Sequence, residues 1–322
     1  MIAEVIRSGF GESRHRGSVI VLGADGREVL YRAGEVTAPM FPRSANKPVQ
    51  AAAMRGCGLP AEGELLALAA ASHSGEDFHV TGVRKILADA GLTEDALQCP
   101  PALPLDEGAQ QRLLRAGGEP DRVHMNCSGK HAAMLATCVA AGWPTASYRD
   151  PGHPLQREIK AALSRLAGED VAATGVDGCG APLFAVSLTA LARAFRSLVL
   201  AVADSAERSV ADAVRAHPAW TSGTTRSERA LMQAVPGLLV KSGAEGVQAL
   251  ALADGRAAAV KMEDGAGRAM PVVTVALLRL LAAGADDDAL DRIADVPVFG
   301  GGQPVGRILA TLGPSGHPLP GC

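Results

Sequence analysis

Arg43-Ser44-Ala45-Asn46-Lys47-Pro48 marks the point at which the chain changes texture. Before it, residues 2–7 and 17–22 are runs rich in Val and Ile, and Ala24-Asp25-Gly26 is a hairpin signal leading to a third strand near 28–31. After it, apolar residues recur at helical spacing. The pattern predicts helices over 45–55, 64–72, 77–90, 108–116, 129–140, 154–166, 182–196 and 207–216. Strand signals return over 237–241 and 247–253, and over 257–262 after the turn Asp254-Gly255; a helix near 270–283 and a short strand near 296–299 follow. Strands, a long helical block, then strands again predict an α+β fold. The two chain ends should share an antiparallel sheet, with the helical middle inserted as a lobe. The expectation is one domain over 1–322, with 1–40 and 235–322 as the sheet lobe and 41–234 as the mainly helical lobe.

The composition excludes several classes of function. Among 322 residues, 31 Lys and Arg face 34 Asp and Glu, a net charge of −3, which argues against a basic nucleic-acid footprint or a polybasic membrane patch. Aromatics make up only 3%, too few for stacking platforms. The opening Met1-Ile-Ala-Glu-Val-Ile-Arg7 does not read as a signal peptide, and no apolar run nears the roughly 20 residues of a membrane-spanning helix. The expected compartment is the cytoplasm, where thiols stay reduced. There the six cysteines are core residues, nucleophiles or metal ligands. Cys57, Cys99 and Cys138 read as core or loop thiols, and Cys322 as a frayed end.

Four segments could carry chemistry. Ser44-x-x-Lys47 puts a hydroxyl and an amine on one helical face, where a partly dehydrated lysine could take the serine proton and free backbone N–H groups could hold an oxyanion. The motif recurs by chance in most chains of this size, and the bland alternative is an N-cap serine beside a solvated lysine. Lys241-Ser242-Gly243, 197 residues further on, changes that balance. Serine acyl-enzymes of the penicillin-recognising type combine S-x-x-K with K-[ST]-G in this order, and the glycine permits close approach of an edge strand. Ala71-Ser72-His73-Ser74-Gly75-Glu76 supplies a second hydroxyl from Ser72 or Ser74, or is an ordinary helix end. Finally, Cys127, Lys130 and His131 span one helical turn, and Cys179 sits in the Gly-rich Val176-Asp177-Gly-Cys179-Gly; two thiolates plus a further donor suit zinc, and two buried free cysteines are the alternative. Gly300-Gly-Gly-Gln-Pro-Val-Gly306 reads as a loop, and His15, His153, His217 and His317 have no evident partners.

In combination these segments resemble the asparaginase II family, the rhizobial-type L-asparaginases, which are similar in fold to serine β-lactamases and glutaminases. The matching stretches are Arg43-Ser-Ala-Asn-Lys-Pro-Val-Gln50, Ala71-Ser-His-Ser-Gly-Glu76, Asn126-Cys-Ser-Gly-Lys-His131, Pro151-Gly-His-Pro-Leu-Gln156, Gly175-Val-Asp-Gly-Cys-Gly-Ala-Pro182 and Lys241-Ser-Gly-Ala-Glu-Gly-Val247. The resemblance implies a β-lactamase-like fold and hydrolysis of L-asparagine to L-aspartate and ammonia. It implies Ser44 with Lys47 as the principal pair, and Ser72, preferred to Ser74, with Lys241 as the second. Arg43, Asn46, His131, Asp177 and Gly243 would bind substrate, Asp177 also supporting the metal site. Cys127, Lys130 and Cys179 would hold zinc, and the protein would be a homodimer. The run Thr221-Ser-Gly-Thr-Thr-Arg-Ser-Glu228 departs from the expected pattern at Glu228. Two alternatives stay open: a related serine amidohydrolase (a glutaminase or a β-lactam-recognising enzyme), and a non-catalytic zinc-containing amino-acid-binding protein. A zinc deaminase is disfavoured because the H-x-E and P-C-x-x-C signatures are absent.

Overall fold

A computed structural model describes residues 1–313; Cys322 and His317 lie outside the described residues. The chain opens with four strands, β1 (Ala3–Arg7), β2 (Phe10–His15), β3 (Gly17–Leu22) and β4 (Val29–Ala33), and a two-residue strand β5 (Pro39–Met40). A 3₁₀ turn, Arg43–Asn46, then leads into α1 (Lys47–Gly56), α2 (Gly63–Ala69), α3 (Asp77–Asp89), α4 (Glu107–Arg115), α5 (Ser128–Ala140) and α6 (Pro154–Ala167). A hairpin of β6 (Ala173–Val176) and β7 (Pro182–Ser187) interrupts the helices, which resume as α7 (Leu188–Val199), α8 (Ala206–Ala216), α9 (Pro218–Thr221) and α10 (Ser227–Ala234). Strands β8 (Leu239–Gly243), β9 (Val247–Ala251) and β10 (Ala257–Met262) precede α11 (Met270–Leu280), α12 (Asp287–Ala294) and the hairpin β11 (Pro297–Gly300)–β12 (Gln303–Ala310).

The architecture is α+β, with antiparallel sheets that join the two ends of the chain. Two such sheets exist where one was expected: the five-stranded β4-β3-β10-β9-β8 and the four-stranded β11-β12-β1-β2. The larger one matters for the site, because its last strand is β8. Strands β9 and β10 are almost wholly buried and rich in alanine, so helix α7 can lie against β3, β9 and β10. Leu191, Phe195 and Leu198 of α7 are fully buried, each contributing about 1.5–3 kcal/mol of apolar transfer.

The helical block is organised around α5, which is buried over nearly its whole length and touches α1, α2, α3 and α6. A helix apolar on all sides can only be interior. Its N-terminal turn carries Lys130 and His131 into the protein, as the N-terminal turn of α1 carries Lys47.

Several local expectations need correction. Residues 182–187 form β7 rather than the start of a helix, because Ser187 caps α7 by accepting from the Ala190 N–H. Gly300–Gly306 is no loop: Gly301 and Gly302, at φ +57° and +79°, make the tight turn between β11 and β12. Three histidines without evident partners have them. His15 meets Asp264 and Arg268, His153 accepts from the Leu155 N–H at the start of α6, and His217 lies 3.9 Å from Glu64. Among the described residues no helix is long and apolar enough to cross a membrane.

Candidate active site

Four pieces of backbone converge. The 3₁₀ turn carries Arg43 and Ser44, and β8 runs beside it at the open edge of the sheet. Gly243 is what allows this approach: a Cβ there would lie 2.6 Å from the Pro42 carbonyl oxygen and 2.9 Å from the Ala45 nitrogen. The extended segment after α2 is the third piece. It is pinned by Ser72 N–H to Thr221 O and His73 N–H to Asn126 O. The loop between β6 and β7 brings Asp177 and Cys179.

At the centre, the Ser72 hydroxyl oxygen lies 3.0 Å from Lys47 Nζ and 3.1 Å from Lys241 Nζ. Ser72 is 8% exposed and both lysines 1%, so two amines face one hydroxyl in a nearly dry setting. Lys47 also donates to Ala71 O at 2.6 Å and lies 3.1 Å from Cys127 Sγ; Lys241 donates to Ser242 O at 2.7 Å. Burial, with the like charge of Lys47 next, pulls the Lys241 amine down to about 7, against the opposing pull of Glu228. Such an amine is partly neutral near pH 7 and can accept a proton. Ser44, partly exposed on its turn, has no side-chain hydrogen bond among the described residues, and Lys47 reaches Ser72 rather than Ser44. Ser74 takes no part in this contact; its hydroxyl donates to Ser222 O at 2.9 Å.

Around this centre, Arg43 Nε donates to Asp177 Oδ1 at 2.8 Å, although Arg43 adopts a left-handed φ of +49°. Burial raises the Asp177 carboxyl, but Lys130, Arg43 and the Gly178 N–H outweigh it and leave it below the usual range. Asn46 is 2% exposed and its Nδ2 has no partner, so a buried donor is left over beside the turn. His131 is fully buried in α5. Its Nδ1 meets the Tyr148 hydroxyl at 2.7 Å, its Nε2 is unpartnered, and burial brings it down to about 4.

The two thiols and the amine named as metal donors also meet. Lys130 Nζ donates to Cys179 Sγ at 3.1 Å, and Cys127 and Cys179 share a hydrogen bond. That bond from Cys179 draws the Cys127 thiol well below its usual value, Lys47 and Lys130 assisting against burial; the same bond and burial push Cys179 up. Burial disfavours the Lys130 ammonium, but Cys179, Cys127 and Asp177 overcome this and raise it. Among the described residues no three His, Cys, Asp or Glu side chains gather as a metal cage. The two-thiol, one-amine set does converge, beside the orphaned His131 nitrogen, and such donors fit zinc once Lys130 gives up its proton.

Sequence motifs missed two features. Lys47 is shared between Ser72 and Cys127, which links the hydroxyl centre to the thiol pair. Glu228 is 3% exposed and acts on Lys241 from the first turn of α10. Its position after Arg226 was the only sequence signal.

No curated protein matches the chain. Among solved structures, a β-lactamase from Mycobacterium bovis is 14% identical with a TM-score of 0.42, over 86% of this chain and 94% of its own. Mglu is 16% identical with a TM-score of 0.44, over 85% and 67%. A β-lactamase from Desulfarculus baarsii DSM 2075 is 17% identical with a TM-score of 0.35, over 84% and 93%. The family model for L-asparaginase II matches residues 3–310. With nearly its whole length matched, the chain belongs to the L-asparaginase II family.

Proposed function

We propose that the protein hydrolyses the side-chain amide of L-asparagine to L-aspartate and ammonia through a serine acyl-enzyme. The observation that carries this reading is the Ser72 hydroxyl held 3.0 Å and 3.1 Å from two buried amines, in a chain of this family. Ser44, free of other hydrogen bonds among the described residues, attacks the amide carbon once Lys47 takes its proton. Backbone N–H groups at its turn hold the oxyanion. Ammonia leaves after proton transfer through Ser72 and Lys241, and water then releases aspartate. Arg43, Asn46, His131, Asp177 and Gly243 frame the substrate. The paired Arg43 and Asp177 charges suit the carboxylate and ammonium of a small zwitterion, and the spare Asn46 Nδ2 suits a carbonyl oxygen.

The same geometry favours a second reading of the nucleophile: Ser72 itself attacks, activated by Lys241, because Lys47 contacts Ser72 and not Ser44. Ser44→Ala and Ser72→Ala separate the two. The variant lacking the nucleophile forms no covalent adduct by intact mass after rapid acid quench, whereas loss of the relay still permits slow acylation. Ammonia release by Ser44→Ala at the wild-type rate sinks the first reading.

Zinc would be held by Cys127, Cys179 and Lys130, and would supply a fixed positive charge to orient substrate. Metal analysis of Cys127→Ser, with and without chelator, tests occupancy. The chain is read as one catalytic domain over 1–322, with sheet lobe 1–40 and 235–322 and helical lobe 41–234, working as a cytoplasmic homodimer. Five free thiols among the described residues suit that compartment. Ammonia release from L-asparagine, against L-glutamine and a chromogenic cephalosporin, distinguishes asparaginase from glutaminase or β-lactam hydrolysis. Binding without turnover would mark an amino-acid-binding protein instead.

A further inference from the structure

Glu228 is used by none of these steps, yet it is 3% exposed next to the site. A buried carboxylate is costly unless its oxygens are satisfied. Arg226 Nη2 lies 3.4 Å from Oε1, and the Ser227 hydroxyl donates to Oε2 at 3.3 Å. A third donor follows from counting protons. Thr274 Oγ1 donates to Gln248 Oε1, which turns the amide so that Nε2 donates to Ser242 Oγ at 2.9 Å. The Ser242 proton is then free to bond Glu228. The N-terminal turn of α10 adds its own positive end. Burial raises the carboxyl, but Arg226, Lys241 and the donors prevail and Glu228 stays ionised.

The charged groups acting on Lys241 are Lys47 from α1, Glu228 and Arg226 from α10 and its cap, and Cys127 before α5. Other charges packed near β8 are engaged elsewhere. Arg215 of α8 bonds Gly237 O and Asp212, and Arg43 of the 3₁₀ turn bonds Asp177; β9 presents the neutral Gln248. Of the four groups, Glu228 is the carboxylate, and Arg226 is its second cation.

We infer that Glu228 is a positioning residue for Lys241, holding the amine against Ser72 and providing the negative charge opposite which Lys241 takes up the serine proton. This rests on the proposed reading, in which Lys241 exchanges a proton with Ser72. In that step the Ser72 O–H bond breaks, a Lys241 N–H bond forms, and the new ammonium lies in the field of Glu228. Arg226 keeps the carboxylate paired while Lys241 is neutral, so the base can be discharged without leaving a lone buried anion.

The test compares Glu228→Gln, Glu228→Asp and Arg226→Met in the pH profile of kcat/KM. Removing the anion lets Lys241 lose its proton more readily, so the acid limb of Glu228→Gln moves to lower pH by about one unit. Removing Arg226 moves it to higher pH, and Glu228→Asp stays close to wild type. A merely structural glutamate would lower activity without moving the limb. Limbs that do not move, or that move in the same direction, overturn the inference. If the wild type releases no ammonia, the functional reading fails but this inference is still tested, by ¹³C NMR titration of the lysine ε-carbons with Lys241 assigned through Lys241→Met. Opposite displacements of that titration in the two variants support it, and an unmoved Lys241 overturns it. Should Glu228→Gln not fold, Arg226→Met alone carries the test.

Discussion

A hydroxyl between two lysines poses an electrostatic problem that the residues solve with burial and counter-charge. Two ammonium groups on one serine would repel, and in a dry site at least one must be discharged. The structure discharges Lys241, which is brought to about 7 mainly by burial and next by Lys47. The sign for catalysis follows: a base acts when neutral, so kcat/KM for amide hydrolysis rises with pH through about 7 and levels above it. A stopped ammonia assay across pH checks this, and a flat profile between about pH 5 and 8 contradicts the assignment. Lys241→Met should lower kcat by about 10²–10⁴-fold while leaving thermal unfolding cooperative. Much of this was legible in the sequence, since Ser44, Lys47, Ser72 and Lys241 stand out by motif. What spacing could not show is that Lys47 reaches across to Ala71, Ser72 and Cys127 rather than back to Ser44. Nor could spacing show that Glu228 is buried, because a glutamate in a helical first turn normally reads as a solvated residue favoured by the dipole.

The glycine of Lys241-Ser242-Gly243 acts at the scale of elements, setting how closely β8 lies against the 3₁₀ turn. Gly243→Ala places a methyl 2.6 Å from Pro42 O and 2.9 Å from Ala45 N, and backbone atoms on both sides must part. The expected cost is about 1–3 kcal/mol in urea unfolding, together with a loss of about tenfold or more in kcat/KM, because the turn bearing Ser44 is displaced. Loss of stability with unchanged kcat/KM would show that this contact does not position the site. Periodicity found the elements around this contact well: α3 and α6 lie where the apolar spacing places them, and β3 and β10 likewise. It failed where local signals conflict with tertiary context. Pro182–Ser187 is apolar throughout and runs into a helix, so a buried strand and a helical turn look alike until Ser187 is seen to cap. Strand β2, Phe-Gly-Glu-Ser-Arg-His, is an exposed sheet edge with little apolar alternation to read.

At the scale of the whole molecule, the helical block is keyed by histidines that must stay uncharged. His73 and His79 stack with ring centres 5.2 Å apart, both fully buried beneath the segment that carries Ser72. The tautomers follow from the partners. Ser128 donates its proton to Val123 O, so His73 Nε2–H donates to Ser128 Oγ at 2.8 Å, while His73 Nδ1 accepts from the Gly75 N–H. His79 Nε2–H donates to Ala219 O at 3.0 Å. Burial lowers His79 to about 4 and His73 well below its usual value, with each other's charge and Lys47 adding to the effect on His73. The unfolded chain, with histidines near 6.5, therefore binds more protons than the folded one between about pH 6.5 and 4. The neutral-histidine contribution is fully present above that window and is lost as pH falls through it, about 2–3 kcal/mol for His79 alone. The paired carboxylates Asp177 and Glu228 are held below their ordinary values, so their contribution is lost only in more acidic solution. Urea midpoints should accordingly fall steadily from about pH 7 to about pH 5, before carboxylate titration begins. His79→Phe keeps the ring contacts with Phe78 and Trp220 but removes one titrating group, so its midpoint should decline less steeply, even though it starts lower for want of the bond to Ala219 O. If His79→Phe loses stability with the same slope as wild type, the buried imidazoles do not set the acid limit of the fold.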